Sequence, residues 1–247
     1  MEIPENWFET WFNSHYYHIL YKNRDEDEAR LFIDNMLARL NVNPGSHFLD
    51  LACGKGRHSL QISSKHYKVT GVDLSPENIK HANATAGTDG PRFYVKDMRD
   101  DLGHEVFDVV VNMFTSFGYF DSDEENFSVF GNIARSLKPG GYFVFDYLNC
   151  DYVLHKLTPA KDFLIDGVHF QTRKFLQDKH IVKEIIVDDN NTQNRFYEKV
   201  RLFTYRDLYQ ALLNAGFGEL ESFGNYQLEP FHIMDSPRLI FIGQKMQ

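Results

Sequence analysis

The chain has 247 residues, 43% of them hydrophobic, which suffices for one large α/β domain or for such a domain with a modest insert. Its formal net charge of −9 argues against a nucleic-acid-binding protein, because a face that binds phosphate backbones is basic. The two cysteines, Cys53 and Cys150, exclude a disulfide framework, and no apolar run is long enough to span a bilayer. The N-terminus also lacks the pattern of a signal peptide, so we expect a cytoplasmic protein without membrane contact.

Residues 1–40 predict helices. Residues 5–22 contain both tryptophans and follow a pattern typical of one or two amphipathic helices. Seven of the fifteen residues from Trp7 to Tyr21 are aromatic, which concentrates the high aromatic content of the chain in this segment. Residues 25–40 predict a further helix, with acidic residues in its first turn.

Residues 41–150 alternate between predicted strands and predicted helices. The strands are expected at residues 47–53, 68–74, 92–97, 106–114 and 141–149, and the helices at 57–65, 76–86 and 124–137. Strands separated by helices of this length indicate right-handed βαβ crossovers. We therefore predict an α/β fold with a Rossmann-like, doubly wound, mostly parallel seven-stranded sheet.

The alternation ends near residue 150. Residues 151–203 contain three strand-like runs joined by short turns, which predicts an inserted antiparallel β-meander. Thr204 then begins a helix that ends near Gly216. The remaining runs, 219–228 and 238–245, predict a final antiparallel pair, so that residues 204–247 complete the core.

The first strand ends in a glycine-containing loop, LDLACGKGRH. Gly54 and Gly56 allow the backbone to turn sharply and to approach a ligand, although such glycines also serve close packing. Asp73 ends the second strand 19 residues after Gly54, about where an acid binds the ribose hydroxyls of a dinucleotide. The third glycine of that dinucleotide pattern is replaced by Ser59.

Asp50, four residues before Gly54, distinguishes between candidate ligands. Its carboxylate would repel the pyrophosphate of a nicotinamide cofactor. The same charge would attract an ammonium or sulfonium group, and S-adenosylmethionine carries both. Asp97 ends the third strand beside Met98, where a carboxylate can accept a hydrogen bond from an adenine amino group. These acids at successive strand ends favour S-adenosylmethionine over NAD.

Four segments in this order resemble the class I S-adenosylmethionine-dependent methyltransferases over essentially the whole chain: DLACGKG, GVDLS, KDMRD and LKPGGYFVFD. YYHILYKNRD, NMFTSFGYF and the meander before FTYRDL are similar to small-molecule N-methyltransferases, notably those of nucleotide-linked aminosugars. The chain departs from this pattern at Ala52, where many members have glycine. It also has Ser136 where some aminosugar enzymes have a histidine near the substrate.

The resemblance implies S-adenosylmethionine as the cofactor and a helical lid, residues 1–40, over the active site. Tyr21 and Arg24 match residues beside the cofactor and the substrate, and we assign them to catalysis as positioning groups. The expected cofactor-binding residues are Asp50, Ala52, Gly54, Gly56, His58, Asp73, Leu74, Asp97, Met98, Asn112, Met113 and Phe114. The expected substrate-binding residues are Tyr17, Phe117, Tyr119, Asp146 and Asn149.

The expected reaction is methyl transfer to a nitrogen or oxygen of a small molecule by in-line displacement, with S-adenosylhomocysteine as the product. Asn112, Met113 and Phe114 stand where metal-dependent O-methyltransferases have acids, and the histidines and cysteines lack ligand spacing, so we expect no metal. A methyltransferase of tRNA or protein and an NAD-dependent oxidoreductase are the alternatives. The meander is a candidate homodimer surface.

Overall fold

The computed structural model describes residues 3–22, 26–40, 42–158, 160–190 and 192–246. The helices are α1 (Trp7–Phe12), α2 (His15–Leu20), α3 (Glu26–Leu40), α4 (Arg57–Ser64), α5 (Pro76–Ala86), α6 (Asp123–Ser136), α7 (Cys150–His155) and α8 (Tyr205–Asn214). The strands are β1 (His47–Leu51), β2 (Lys68–Asp73), β3 (Arg92–Val95), β4 (Phe107–Asn112), β5 (Leu137–Leu148), β6 (Ala160–Ile165), β7 (Val168–Gln177), β8 (His180–Asp189), β9 (Thr192–Arg201), β10 (Phe217–Phe223) and β11 (Arg238–Lys245).

The larger sheet has seven strands in the order β10-β11-β5-β4-β1-β2-β3. Strands β1 to β5 pair in parallel, whereas β11 pairs antiparallel to both β5 and β10. The strand order reverses between β1 and β4, and crevices at such reversals bind ligands in open α/β sheets. The predicted doubly wound, mostly parallel seven-stranded sheet is confirmed.

Hydrophobic side chains cover both faces of this sheet. One cluster contains phenylalanines of β5 and α6 in ring contact, such as Phe130, Phe143 and Phe145, and the other contains Phe32 and Met36 of α3. All of these side chains are at most 2% exposed. Much of the aromatic content of the chain therefore belongs to the ordinary core.

The smaller sheet is an antiparallel meander in the order β6-β7-β8-β9. The sequence predicted three strands in this region, but the first run divides into β6 and β7 at Asp166 and Gly167. Both residues have positive φ, 50° and 81°, which is the geometry of a type I′ hairpin turn. The Asp-Gly pair was the turn signal that the prediction missed.

Helices α1 and α2 pack on one face of the meander. Trp11 and Tyr16 form a hydrophobic cluster with Phe170, Ile185 and Val187 of β7 and β8. Two further elements differ from the prediction: Asn149 caps the unpredicted helix α7, and β5 begins already at Leu137. Among the helices that the structure describes, none is long and apolar enough to cross a membrane.

Candidate active site

A cavity of about 670 Å³ lies at the carboxyl ends of β1, β2 and β4, between the larger sheet, the N-terminal helices and the meander. This volume is in the range of small-molecule sites. The predicted site residues in its wall are Tyr17, Tyr21, Asp50, Ala52, Gly54, His58, Asp73, Leu74, Asp97, Met98, Met113, Phe114 and Tyr119.

Asp50 lies at the bottom of the cavity and is only 1% exposed. The hydroxyl of Ser59 on α4 donates a hydrogen bond of 2.6 Å to its carboxylate. Burial raises the pKa of Asp50 to about 6, and the hydrogen bond from Ser59 opposes this shift. Ser59, which replaces the third glycine of the dinucleotide pattern, thus holds the acid in place.

Asp73 connects the glycine loop to the start of α5. Its carboxylate accepts hydrogen bonds from the backbone N–H of Gly54 at 2.8 Å and of Ser75 at 2.9 Å. Asn78 donates to the same carboxylate at 3.4 Å. The buried Oδ1 of Asn78, also in the cavity wall, has no hydrogen-bond partner among the described residues, so it can accept from a ligand.

The glycine loop is held close to the sheet. Gly56 has φ of +82°, and a Cβ there would lie 2.5 Å from Cζ of Phe93. Gly56 therefore serves packing and the start of α4, and it lies outside the cavity wall. Ala52 has φ of 62°, in the left-handed region that favours glycine, which explains why glycine suits this position.

Asp97 follows β3 at the rim of the cavity. Arg99 donates to its carboxylate from Nε at 3.0 Å and from Nη2 at 2.7 Å. The Arg99 guanidinium and backbone hydrogen bonds hold the pKa of Asp97 below its usual value, although burial opposes this. His58 at the start of α4 has a pKa lowered to about 3 by burial and by Arg57, so its imidazole is neutral.

Aromatic rings form a continuous row beside the cavity. Trp7 contacts Tyr119 edge to face with centroids 5.3 Å apart, and Tyr119 lies 5.7 Å from Phe12. The row continues from Phe12 to Tyr17 at 5.2 Å and from Tyr17 to Tyr21 at 5.1 Å. These rings line the cavity and give this part of its wall an aromatic surface.

Glu198 of β9 joins the N-terminal helices to the meander. Its Oε1 accepts hydrogen bonds from Nε1 of Trp11 at 2.8 Å and from the hydroxyl of Tyr21 at 2.5 Å. Lys183 of β8 lies 3.6 Å from the other carboxylate oxygen and donates to the Tyr21 hydroxyl at 2.7 Å. Tyr21 is thereby fixed between two elements at the cavity wall.

Four predicted site residues lie outside the cavity wall, in addition to Gly56. Asn112 donates to the carbonyls of Leu51 and Ser116, and Phe117 is stacked on a core phenylalanine at 4.7 Å. Asn149 donates to two backbone carbonyls of the loop before β11 and caps α7. All three side chains are at most 2% exposed and hold the fold together through these contacts. The buried Oδ1 of Asn112 has no hydrogen-bond partner among the described residues.

Asp146 is the fourth of these residues, and it is fully buried. It accepts from the backbone N–H of Phe114 at 2.8 Å and from the Tyr226 hydroxyl at 3.1 Å, and it forms an ion pair of 2.7 Å with Arg238. Asp146 was predicted to bind the substrate, but its lone pairs are used within the protein. It positions Phe114 and Arg238, which do line the cavity. Arg24 lies outside the described residues.

Three charged residues of the meander were not predicted as site residues. Lys174, Lys183 and Glu198 all line the cavity and occupy paired positions on β7, β8 and β9. A charge at an inward position of three successive strands was the available signal. Reading it requires the strand register, which the sequence alone did not provide.

Comparison with known proteins shows the family to which this chain belongs. A family model described as a methyltransferase domain matches residues 48–141. The protein named "Putative methyltransferase YqeM" from Bacillus subtilis (strain 168) is 36% identical over 179 residues, which are 68% of this chain and 72% of that protein. The chain belongs to the S-adenosylmethionine-dependent methyltransferases.

Two further similarities describe this methyltransferase more closely. It is 32% identical over 129 residues to the dTDP-3-amino-3,4,6-trideoxy-alpha-D-glucopyranose N,N-dimethyltransferase of Streptomyces venezuelae. That match spans 52% of this chain and about half, 54%, of that enzyme. The crystal structure of an S-adenosylmethionine-dependent methyltransferase from Clostridium acetobutylicum ATCC 824 has the same fold, with a TM-score of 0.79 at 22% identity over 94% of this chain and 97% of that one.

The methyltransferase has no cluster of three or more histidine, cysteine, aspartate or glutamate side chains suited to a metal ion within the described ranges. Its two cysteines are both buried, and burial raises the pKa of each thiol. The titratable groups in the cavity wall include carboxylates, lysines, arginines, tyrosines and the imidazoles of His18 and His58.

Proposed function

We propose that this methyltransferase transfers the methyl group of S-adenosylmethionine to a nitrogen or oxygen of a small molecule. The proposal rests on the observation that two walls of one cavity differ in their chemistry. Acids at the ends of β1, β2 and β3 form the first wall, and aromatic and charged side chains of α1, α2 and the meander form the second. The first suits a cationic adenosine derivative, and the second suits an acceptor beside it.

The residues of the first wall fit S-adenosylmethionine. Asp50 would hold the methionyl ammonium, Asp73 and the unpartnered Oδ1 of Asn78 would hold the ribose, and Asp97 beside Met98 would hold the adenine. The first N–H groups of α4 have no acceptor within the helix and can hold the carboxylate of the methionyl group. When bound, S-adenosylmethionine supplies a methyl carbon that its sulfonium has already activated.

The residues of the second wall would align the acceptor and exclude water. Methyl transfer by displacement depends mainly on alignment of the nucleophile about 3 Å from the methyl carbon. We assign this alignment to Tyr17, Tyr21 and Tyr119, whose rings form part of the aromatic row. The hydrogen bonds from Tyr21 to Glu198 and from Lys183 to Tyr21 fix the position of its phenol. The role of Arg24 rests on the family resemblance alone.

A small acceptor is supported by the volume of the cavity and by the formal net charge of −9 of the chain. The related enzyme of Streptomyces venezuelae acts, by its name, on the amino group of a nucleotide-linked sugar. A homodimer through the meander stays a prediction, supported by the exposed Leu164 on edge strand β6. Size-exclusion chromatography with light scattering tests it.

Isothermal titration calorimetry tests the proposed cofactor. S-adenosylmethionine and S-adenosylhomocysteine should both bind, whereas NADH should not. The variant Asp73→Ala should lose about 1–3 kcal/mol of binding free energy, because a hydrogen bond to a charged group is removed. Asp89→Ala, which removes an exposed carboxylate outside the cavity, is the matched control and should bind as the wild type does.

Two results would contradict this proposal. Tight binding of NADH without binding of S-adenosylmethionine would favour the oxidoreductase alternative. Unchanged affinity of Asp73→Ala for S-adenosylhomocysteine would show that Asp73 does not hold the ribose.

A further inference from the structure

The inner face of the meander carries a row of three charged residues that lines the cavity. Lys174 of β7 lies directly opposite Lys183 of β8, and Lys183 lies directly opposite Glu198 of β9. Side chains at paired positions point to the same face of a sheet. All three line the cavity, so the row faces its interior.

The neighbouring rows on the same face are mostly apolar. Ile181 and Val200 flank the charged row on one side, and Ile185 and Phe196 flank it on the other, in a row that continues through Thr172 to Lys161 on the edge strand β6. Ile185 is fully buried in the cluster that packs against the N-terminal helices. The charges therefore stand in a protected position, where a packing role alone would call for apolar side chains.

The charges of this row do not cancel within the protein. Lys183 forms an ion pair with Glu198 and donates to the Tyr21 hydroxyl, so these groups satisfy one another. Lys174 has no carboxylate within 4.0 Å among the described residues, and its ammonium lies opposite a like charge. Like charges at directly opposed positions destabilise a sheet. Burial lowers the pKa of Lys174, as expected for an ammonium that is partly enclosed.

We propose that Lys174, assisted by Lys183, binds an anionic group of the methyl acceptor, a carboxylate or a phosphate. The inference rests on the proposed function, because it assigns the acceptor to the meander wall of the cavity. An anion beside Lys174 would compensate the net positive charge of the row, in which two lysines face one glutamate. The acidic strand ends on the opposite wall would repel the same anion, which fixes the orientation of the acceptor.

A titration with simple anions tests the inference without knowledge of the acceptor. Acetate, inorganic phosphate and the neutral isostere acetamide are each added to the protein with and without saturating S-adenosylhomocysteine. Intrinsic tryptophan fluorescence is a suitable readout, because the chain has two tryptophans and both lie at the site. Trp7 lines the cavity, and Trp11 donates to Glu198.

The expected result is binding of at least one anion and none of acetamide. Lys174→Met should weaken that binding by about tenfold, because a charge-assisted hydrogen bond is lost, and Lys174→Arg should retain most of it. Lys80→Met is the matched control, since it removes the same charge from the exposed face of α5. Stronger binding of acetate indicates a carboxylate on the acceptor, and stronger binding of phosphate indicates a phosphate.

Three results would overturn the inference. They are the absence of any anion response in the wild type, equal anion affinity of Lys174→Met and the wild type, and displacement of the anion by S-adenosylhomocysteine. The last result would mean that the anion occupies the subsite of the methionyl carboxylate. If S-adenosylhomocysteine itself fails to bind, the proposed function fails instead, so that the two failures are distinguishable.

Discussion

Asp50 illustrates how burial gives a single residue a pH-dependent role. Its carboxyl group is 1% exposed, and burial raises its pKa to about 6, above the value of an aspartate in an unfolded chain. In the ligand-free protein this shift stabilises the folded state at acidic pH, below the pKa that the Asp50 carboxyl has in the unfolded chain. The stabilisation is lost as the pH rises through about 6. Binding of a cation reverses the preference, because an ammonium group favours the charged carboxylate.

We predict that S-adenosylmethionine binds more tightly as the pH rises from 5 to 7. The methionyl ammonium stays protonated over this range, whereas the fraction of Asp50 that is charged increases about tenfold. The affinity should increase by up to the same factor. Calorimetric titrations at half-unit pH intervals measure it.

Asp50→Asn is the control for this prediction. The variant should bind more weakly at pH 7 and should show little change in affinity between pH 5 and 7. His58 and His18 do not contribute to the pH dependence between pH 5 and 7, because burial lowers their pKa values to about 3 and about 4. An unchanged pH dependence in Asp50→Asn would contradict the assignment.

Some residues of the site could be predicted from the sequence, and others could not. Asp50, Asp73 and Asp97 were identified because parallel strands bring their carboxyl ends to one edge, so that spacing alone places them together. Asp146 also ends a strand, but its role depends on Arg238, which is 92 positions away along the chain. A long-range ion pair of this kind leaves no local pattern in the sequence.

The N-terminal helices and the meander form a second structural unit that closes the cavity. The contact combines apolar packing of Trp11 on Phe196, with centroids 5.0 Å apart, and the hydrogen bonds to Glu198. Tyr16 adds a hydrogen bond of 3.1 Å to Asp189 at the end of β8. Glu198 is the polar centre of this contact.

We predict that Glu198→Ala loosens the N-terminal helices without unfolding the larger sheet. The variant removes the hydrogen-bond acceptor Oε1 from the indole N–H of Trp11 and the Tyr21 hydroxyl, and it removes the ion-pair partner of Lys183, at a cost of about 1–3 kcal/mol. Backbone amides of α1 and α2 should then exchange with deuterium roughly five- to 150-fold faster. Hydrogen-exchange mass spectrometry measures this directly.

Lys199→Met provides a matched comparison on the same strand. Lys199 follows Glu198 on β9 and forms an ion pair of 2.8 Å with the exposed Asp121. Its loss should not change exchange in α1 and α2. Equal exchange in Glu198→Ala and the wild type would show that apolar packing alone holds these helices.

Elements were predicted well where local signals were strong. The helix over Pro76–Ala86 has both predicted bounds, because Ser75 caps it and Pro76 occupies its first position. The meander was predicted as a type of structure but with one strand too few. Its charged row became visible only when the register aligned Lys174 with Lys183, since alternation along one strand does not determine its neighbours.

At the scale of the whole molecule, the alternation of strands and helices was sufficient to predict the topology. Right-handed crossovers leave few arrangements for such a chain, and the observed order places β1 and β4 at the reversal. The structure also shows where the acidic and aromatic residues of the composition lie. Part of the negative charge lies at the strand ends, and the aromatic residues divide between the phenylalanine core and the row beside the cavity.

A crystal structure with S-adenosylhomocysteine tests the proposed cofactor site. We predict that the ribose hydroxyls of the ligand lie about 3 Å from the carboxylate of Asp73. The sulfur of the ligand should face the open part of the cavity between Tyr21 and the meander. The size and polarity of that remaining space would then describe the acceptor. A ribose bound away from Asp73, or a sulfur that faces solvent and not the meander, would contradict the account.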